Sequence, residues 1–407
     1  MQFDFDTILP ATLPAPSARW SGFPAYNFVG GHNDANSIPV NDLLQAAKDA
    51  LTREGRSLAT YFLDSGPQGY LPLRNFICDK LKTRAGMNID ADDVLVVSGS
   101  LQALDLVNSA LLEAGDTVII EQHTYGGALT RLERMGVNVV SVDLDDDGID
   151  NNHLDTVLAD LKSRNIQAKY IYTIPSVQNP TGTVMSKARR LQILETAEKY
   201  DVAIFEDDCY ADLIWDGDRP PAFHALDTTG RVIYCGSFSK SIAPALRVGY
   251  LVADWAVMSR ILSLKTDAGS GALEQMVLAE YAASHFDDHV DTLAQTLKGK
   301  CDAIVAALEE QFGASAEFSR PKGGIFIWVS LPDTVDTDVL AAVAGAEGVA
   351  INPGSEWSTV AEDGRHKFRL CFGNPDAETI HAGVTKLAEI CHREFGIPAH
   401  AANVKRD

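Results

Sequence analysis

Val94-Leu95-Val96-Val97, Ser98-Gly99-Ser100, a helical pattern from Leu101 to Leu112 and the run Thr117 to Glu121 stand in unbroken order: apolar run, glycine turn, helix, apolar run. The alternation continues through Ala128 to Met135, Val137 to Val142, Lys169 to Thr173, a helix over about Lys187 to Tyr200, Val202 to Phe205, Arg231 to Cys235 and Val248 to Val252. Such repetition predicts an α/β fold, a mostly parallel sheet covered by helices on both faces. Ligands of these sheets bind at the carboxyl ends of the strands. After Gly271 the pattern changes to a long helical stretch, about Ala272 to Phe312 with a break expected near His285, followed by strands at Gly324 to Val329 and Phe368 to Phe372. These predict a smaller α+β domain. The expected division is 1–45 as an amino-terminal arm and part of the small domain, 46–290 as the large domain and 291–407 as the small one.

Composition bounds the function. A chain of 407 residues suits one large domain and a smaller one, and 46% hydrophobic residues is the share of a packed globule. A net charge of −22 without any basic stripe excludes a nucleic-acid backbone as partner. Cys78, Cys209, Cys235, Cys301, Cys371 and Cys391 are scattered without a CxxC pair, which predicts reduced thiols, no zinc knuckle and a cytoplasmic setting. Met1 to Trp20 carries Asp4, Asp6 and three prolines, so an extended arm lying on another surface is expected rather than a signal peptide. No uncharged apolar stretch is long enough to span a membrane.

Chemistry-bearing residues fall just after the apolar runs. Ser98-Gly99-Ser100 opens a helix whose first turn offers free N–H groups to an anion, although an ordinary turn with a serine N-cap explains the same residues. Tyr125 follows the next strand and can lay its ring on a flat ligand. Asn179 precedes Pro180 in Pro175-Ser176-Val177-Gln178-Asn179-Pro180-Thr181-Gly182, a turn able to point the amide into a cleft. Asp207 in Glu206-Asp207-Asp208-Cys209-Tyr210 is a carboxylate desolvated at a strand end, which needs a cationic partner. Ser237-Phe238-Ser239-Lys240 and Arg247 set a primary amine beside hydroxyls and a guanidinium, the groups that hold a phosphorylated aldehyde while a lysine forms an imine with it.

Taken in order, Ser-Gly-Ser, Tyr125, NPTG, EDDxY, SFSK and Arg247 resemble the fold-type I pyridoxal-phosphate aminotransferases of class I/II, and most of all the 2-aminoadipate and kynurenine subgroup. The resemblance implies an aminotransferase with pyridoxal 5′-phosphate, passing through a Lys240 Schiff base and pyridoxamine phosphate. It implies that Lys240 holds the cofactor and moves the α-proton, that Asp207 pairs with the pyridine nitrogen, and that Asn179 and Tyr210 bond its phenolic oxygen. Tyr125 would stack on the ring. Ser100, the N–H of Leu101, Ser237, Ser239 and Arg247 would hold the phosphate. Arg369 would take the substrate α-carboxylate in a two-point pair, assisted by Asn179 and the backbone at Gly31. Amino-acid and 2-oxo-acid partners, a homodimer with shared sites and no metal complete the implication.

Two departures bear on the substrate. Asp64 stands where the family often has a tyrosine that reaches the partner's phosphate; Tyr61 is expected to take over that hydroxyl, with Asp64 facing substrate or a basic neighbour, or else capping the next turn. Gly30-Gly31-His32 lacks the proline the family more often has there, and His32 could donate to a substrate oxygen. His285 and His289 share helical spacing but lack a third ligand, and the acidic run from Asp143 ends at Leu154 where a calcium loop needs glutamate, so both are set aside. β-Elimination or decarboxylation on the same scaffold is the enzymatic alternative, and a non-catalytic ligand-sensing domain the other.

Overall fold

In the structure, a computed structural model describing residues 3–10, 13 and 16–398, the expected alternation becomes a seven-stranded sheet. The parts of the amino-terminal arm at 1–2, 11–12 and 14–15, and the carboxyl-terminal 399–407, lie outside the described residues. After β1 (Tyr26–Asn27) come β2 (Val94–Val97), β3 (Thr117–Glu121) and β4 (Asn138–Val142). A hairpin of β5 (Leu144–Asp145) and β6 (Gly148–Ile149) precedes β7 (Ala168–Thr173), β8 (Ala203–Asp207), β9 (Val232–Ser237) and β10 (Gly249–Val252). The large sheet runs β2-β10-β9-β8-β7-β3-β4, and β2, β3 and β9 are buried at every residue, as strands covered on both faces must be.

β10 alone is antiparallel to its neighbours. The link from Ser237 to Gly249 holds only a 3₁₀ turn at Pro244–Leu246, too short for the crossover a parallel return requires. The reversal has a consequence for the site: the start of β10 lies at the same sheet edge as the other strands' ends, so Arg247 arrives beside Ser237 and Ser98.

A second sheet, β11 (Phe326–Ser330) with β14 (Lys367–Cys371) and β13 (Asn352–Pro353), is antiparallel throughout. β12 (Val349–Ala350) pairs in parallel with β1, so the amino-terminal segment joins the carboxyl-terminal elements. The helix Ala272–Phe312 runs 41 residues without the break expected at His285. It contains no proline, Tyr281 stacks on His285 at 5.4 Å, and Phe286 and Val290 are buried, so the polar run faces outward without interrupting the ladder. The acidic turn after Asp143 is the β5–β6 hairpin, where Asp145 pairs with Arg189 at 2.8 Å and Asp147 accepts from the backbone N–H of Ser186. No helix among the described residues is long and apolar enough to cross a membrane.

Candidate active site

The ends of β2, β3, β7, β8 and β9 and the start of β10 surround a cavity of about 270 Å³. At one end is an anion cradle. Gly99, at φ +79°, is the helix N-cap, so neither serine of the turn caps the helix; Ser100 is the first helical residue, and its hydroxyl is left for the cavity. A Cβ on Gly99 would lie 2.1 Å from Arg247 Nη2; only glycine lets the guanidinium settle against the turn. Arg247 adopts φ +54° and donates to the carbonyls of Ser98 and Pro244, both at 3.1 Å. Ser237 Oγ accepts from the N–H of Ser239 at 3.0 Å, and Ser100, Leu101, Ser237, Ser239 and Arg247 all line the cavity.

Lys240 and Asp207 stand further in. Lys240 Nζ donates to the Gly31 carbonyl at 2.6 Å, and a Cβ on Gly31 would meet that amine at the same distance. Burial lowers the Lys240 pKa, with Arg369 and Arg247 adding to the effect. Asp207 Oδ2 accepts from the Tyr172 hydroxyl at 2.7 Å, while its Oδ1 is buried without a partner. Burial raises the Asp207 pKa, as it must for a carboxylate with no cation in contact. Cys209, which also lines the cavity, and Cys235 lie close to it; with Asp207 they form a group of close metal-capable side chains, and both thiols have raised pKa values that favour the protonated form.

The third part of the site is a fixed guanidinium. Arg369, 2% exposed, has its guanidinium carbon 3.7 Å from the Trp357 ring centre and 4.0 Å from that of Phe326. Its Nη1 donates to Asn179 Oδ1 at 2.9 Å, and Asn179 Nδ2 donates to the Tyr210 hydroxyl at 3.2 Å. Burial pulls the Arg369 pKa down to about 10. Tyr125, at the end of the β3 loop, faces Trp357 with ring centres 5.8 Å apart.

The cavity therefore gathers Ser100, Leu101, Tyr125, Asn179, Asp207, Tyr210, Ser237, Ser239, Lys240, Arg247, Arg369 and the backbone of Gly31. His32, Tyr61 and Asp64 are not part of it. The His32 ring packs on Phe23 at 5.3 Å and borders a neighbouring cavity. Tyr61 is 78% exposed, and Phe62, Leu63 and Asp64 follow it at positive φ. The Asp64 side chain makes no hydrogen bond among the described residues, so it caps no turn there. Sequence reading passed over Glu121, which accepts from Thr173, the N–H of Ile174 and Gln178 and so braces the turn carrying Asn179. Its signal was the one used for Asp207, an acid closing an apolar strand.

The family described as Aminotransferase class I and II matches residues 28–387. An aromatic-amino-acid aminotransferase of Thermococcus litoralis is 31% identical over 372 residues, covering 91% of this chain and 88% of its own. An HTH-type transcriptional regulator of Bacillus subtilis, YdfD, is 34% identical over 365 residues, which are 85% of this chain and 73% of the regulator. The crystal structure of Pyrococcus horikoshii kynurenine aminotransferase with PMP superimposes with a TM-score of 0.87 at 31% identity, over 96% of this chain and 98% of that one.

Proposed function

This chain belongs to the class I and II aminotransferases, and on that premise we propose that it moves amino groups between amino acids and 2-oxo acids with pyridoxal phosphate as cofactor. The observation that carries the cofactor is Asp207: a buried carboxylate that lines the same cavity as the phosphate cradle and has no countercharge among the described residues fits a protonated pyridine nitrogen. When bound, pyridoxal phosphate supplies an aldehyde that condenses with amines and a ring that accepts the electron pair of a breaking bond.

Ser100, the N–H of Leu101, Ser237, Ser239 and Arg247 would hold the phosphate, Tyr125 would cover the ring face, and Asn179 and Tyr210 would bond its phenolic oxygen. Lys240 is suited to two tasks, because a desolvated amine spends more of its time unprotonated. It is a nucleophile toward an aldehyde, and once released it takes the substrate α-proton on Nζ. Arg369, held flat between Trp357 and Phe326, would grip the α-carboxylate, which favours reactions that keep that group over decarboxylation. Residues 46–290 would then carry the cofactor, and 291–407 with 1–45 the carboxylate grip.

Among the described residues that line the cavity, Arg369, Lys240 and Arg247 are the cationic side chains, and Tyr125, Ile174, Phe326 and Trp357 line it too. This supports donors with neutral or aromatic side chains. Exposed Phe3, Trp20, Phe23 and Tyr61 support a homodimer in which Tyr61 reaches the partner's phosphate and Asp64 turns toward substrate or a basic neighbour. Six free cysteines support a reducing, cytoplasmic setting. The test is a panel of amino donors, read as half-reactions by the absorbance of the bound cofactor. Stoichiometric 2-oxo acid with conversion to the pyridoxamine form is expected, fastest with aromatic donors; ammonia release without conversion, or no turnover of any donor, overturns the reading. Tyr61→Phe should weaken cofactor binding about tenfold, the cost of one hydrogen bond to a charged group.

A further inference from the structure

Arg369 has five N–H donors, and their use in the protein leaves no edge open for a carboxylate. Nη2 donates to the Gly30 carbonyl at 3.1 Å and to Asn352 Oδ1 at 2.7 Å, which accounts for both of its hydrogens. Nη1 gives one hydrogen to Asn179, and Nε is buried without a partner. A planar guanidinium can take both carboxylate oxygens along Nε and Nη2 or along Nη1 and Nη2; Nη2 belongs to both edges. The rings of Trp357 and Phe326 fix its plane, so it cannot swing to present another face.

One of the two Nη2 acceptors must therefore leave when a substrate arrives. Gly30 is backbone, in the loop whose next carbonyl holds Lys240. Asn352 is a half-buried side chain that lines the cavity, on β13 directly across from Arg369 on β14. Moving it changes two torsions rather than a loop. We propose that Asn352 is a binding residue for the substrate carboxylate: it occupies Nη2 in the free enzyme, yields that hydrogen together with the waiting Nε–H, and turns its amide to donate from Nδ2 to the bound carboxylate. The inference rests on the reading of Arg369 as the carboxylate site.

Asn352→Asp keeps size and shape but sets a permanent carboxylate against Arg369, an internal competitor. Asn352→Leu removes both the placeholder and the new donor, and Asn352→Ser restores a small polar group. The holoenzyme variants are titrated calorimetrically with 3-phenylpropionate and with its amide, 3-phenylpropanamide, and KM and kcat are measured with L-phenylalanine. Affinity for the acid should fall by about tenfold or more in Asn352→Asp, the scale of a hydrogen bond to a charged group, and about threefold in Asn352→Leu, where loss of the donor is partly offset by freeing Nη2, with Asn352→Ser between Leu and wild type. KM should rise by more than kcat falls, and the amide should bind all four proteins alike. Equal affinities for the acid across the series, or an equal loss for the amide, overturn the role of Asn352. If Arg369→Ala leaves binding of the acid or KM for phenylalanine unchanged, the reading of Arg369 fails and the inference with it.

Discussion

Asp207 and Asp208 are adjacent, both buried, and surrounded in opposite ways. Asp208 Oδ2 lies 2.6 Å from Arg219 and 3.0 Å from the Tyr234 hydroxyl, and Arg219 also reaches Asp212, which pairs with Lys80 at 2.8 Å. Two acids and two bases balance. Asp207 faces the cavity with the Tyr172 hydroxyl and Cys209 beside it and no cation within ion-pair distance among the described residues. Burial is the same for both; the missing countercharge is what marks the site. A buried charge at a strand end is thus a weak indicator of chemistry until its partners are counted.

Breaking the cavity side of this comparison should cost function without costing the fold. Asp207→Asn is expected to lower kcat/KM by about 10²–10³-fold, the scale for losing a preorganised electrostatic partner. The apoprotein should melt at the same or a higher temperature, because a carboxylate whose ionised form is penalised by burial has been removed. A destabilised apoprotein with intact turnover would reverse the assignment.

The balanced side should behave the other way. Lys80 is buried over the rings of Phe238, Tyr250 and Phe286, so Lys80→Met keeps the packing and strands Asp212 with less countercharge. About 3–5 kcal/mol of stability should be lost in denaturant unfolding, with kcat of the folded fraction near wild type. A smaller effect comes from His123, which contacts Ser358 at 2.8 Å and Lys367 at 2.9 Å. Burial, with help from Lys367, pulls its pKa down to about 4. A lowered folded value means the unfolded chain takes up the proton first, so stability present above about pH 6.5 is lost as pH falls toward 4. His123→Asn should flatten that decline by ~1–2 kcal/mol in unfolding measured at pH 7 and pH 5.

The cavity side was the legible one. Tyr125, Asn179, Asp207 and Lys240 each follow an apolar run, and a strand end is recognisable from the run alone. Asn352, Phe326 and Trp357 were not, since they reach the cavity from the second sheet and the 3₁₀ turn that follows β13. The pairing that sets Asn352 across from Arg369 is a relation between strands that no linear spacing encodes. Polarity misled the reading at His285, because outward-facing charges on a long helix look like a gap when the buried Phe286 and Val290 among them are not weighed. Asp64 sits on backbone at positive φ and Tyr61 just precedes the run of three such residues, where neither propensity nor period predicts direction.

The unbroken helix from Ala272 to Phe312 is about 60 Å long at 1.5 Å per residue. Met276 to Val290 pack with the cluster under β2 and β10, Leu293 and Leu297 with the other side of the large sheet, and Cys301 to Phe312 with the small sheet. Neither sheet can lose its packing without exposing part of the same rod. The two halves are therefore tied into one cooperative unit, and a calorimetric scan should record a single melting transition in place of two.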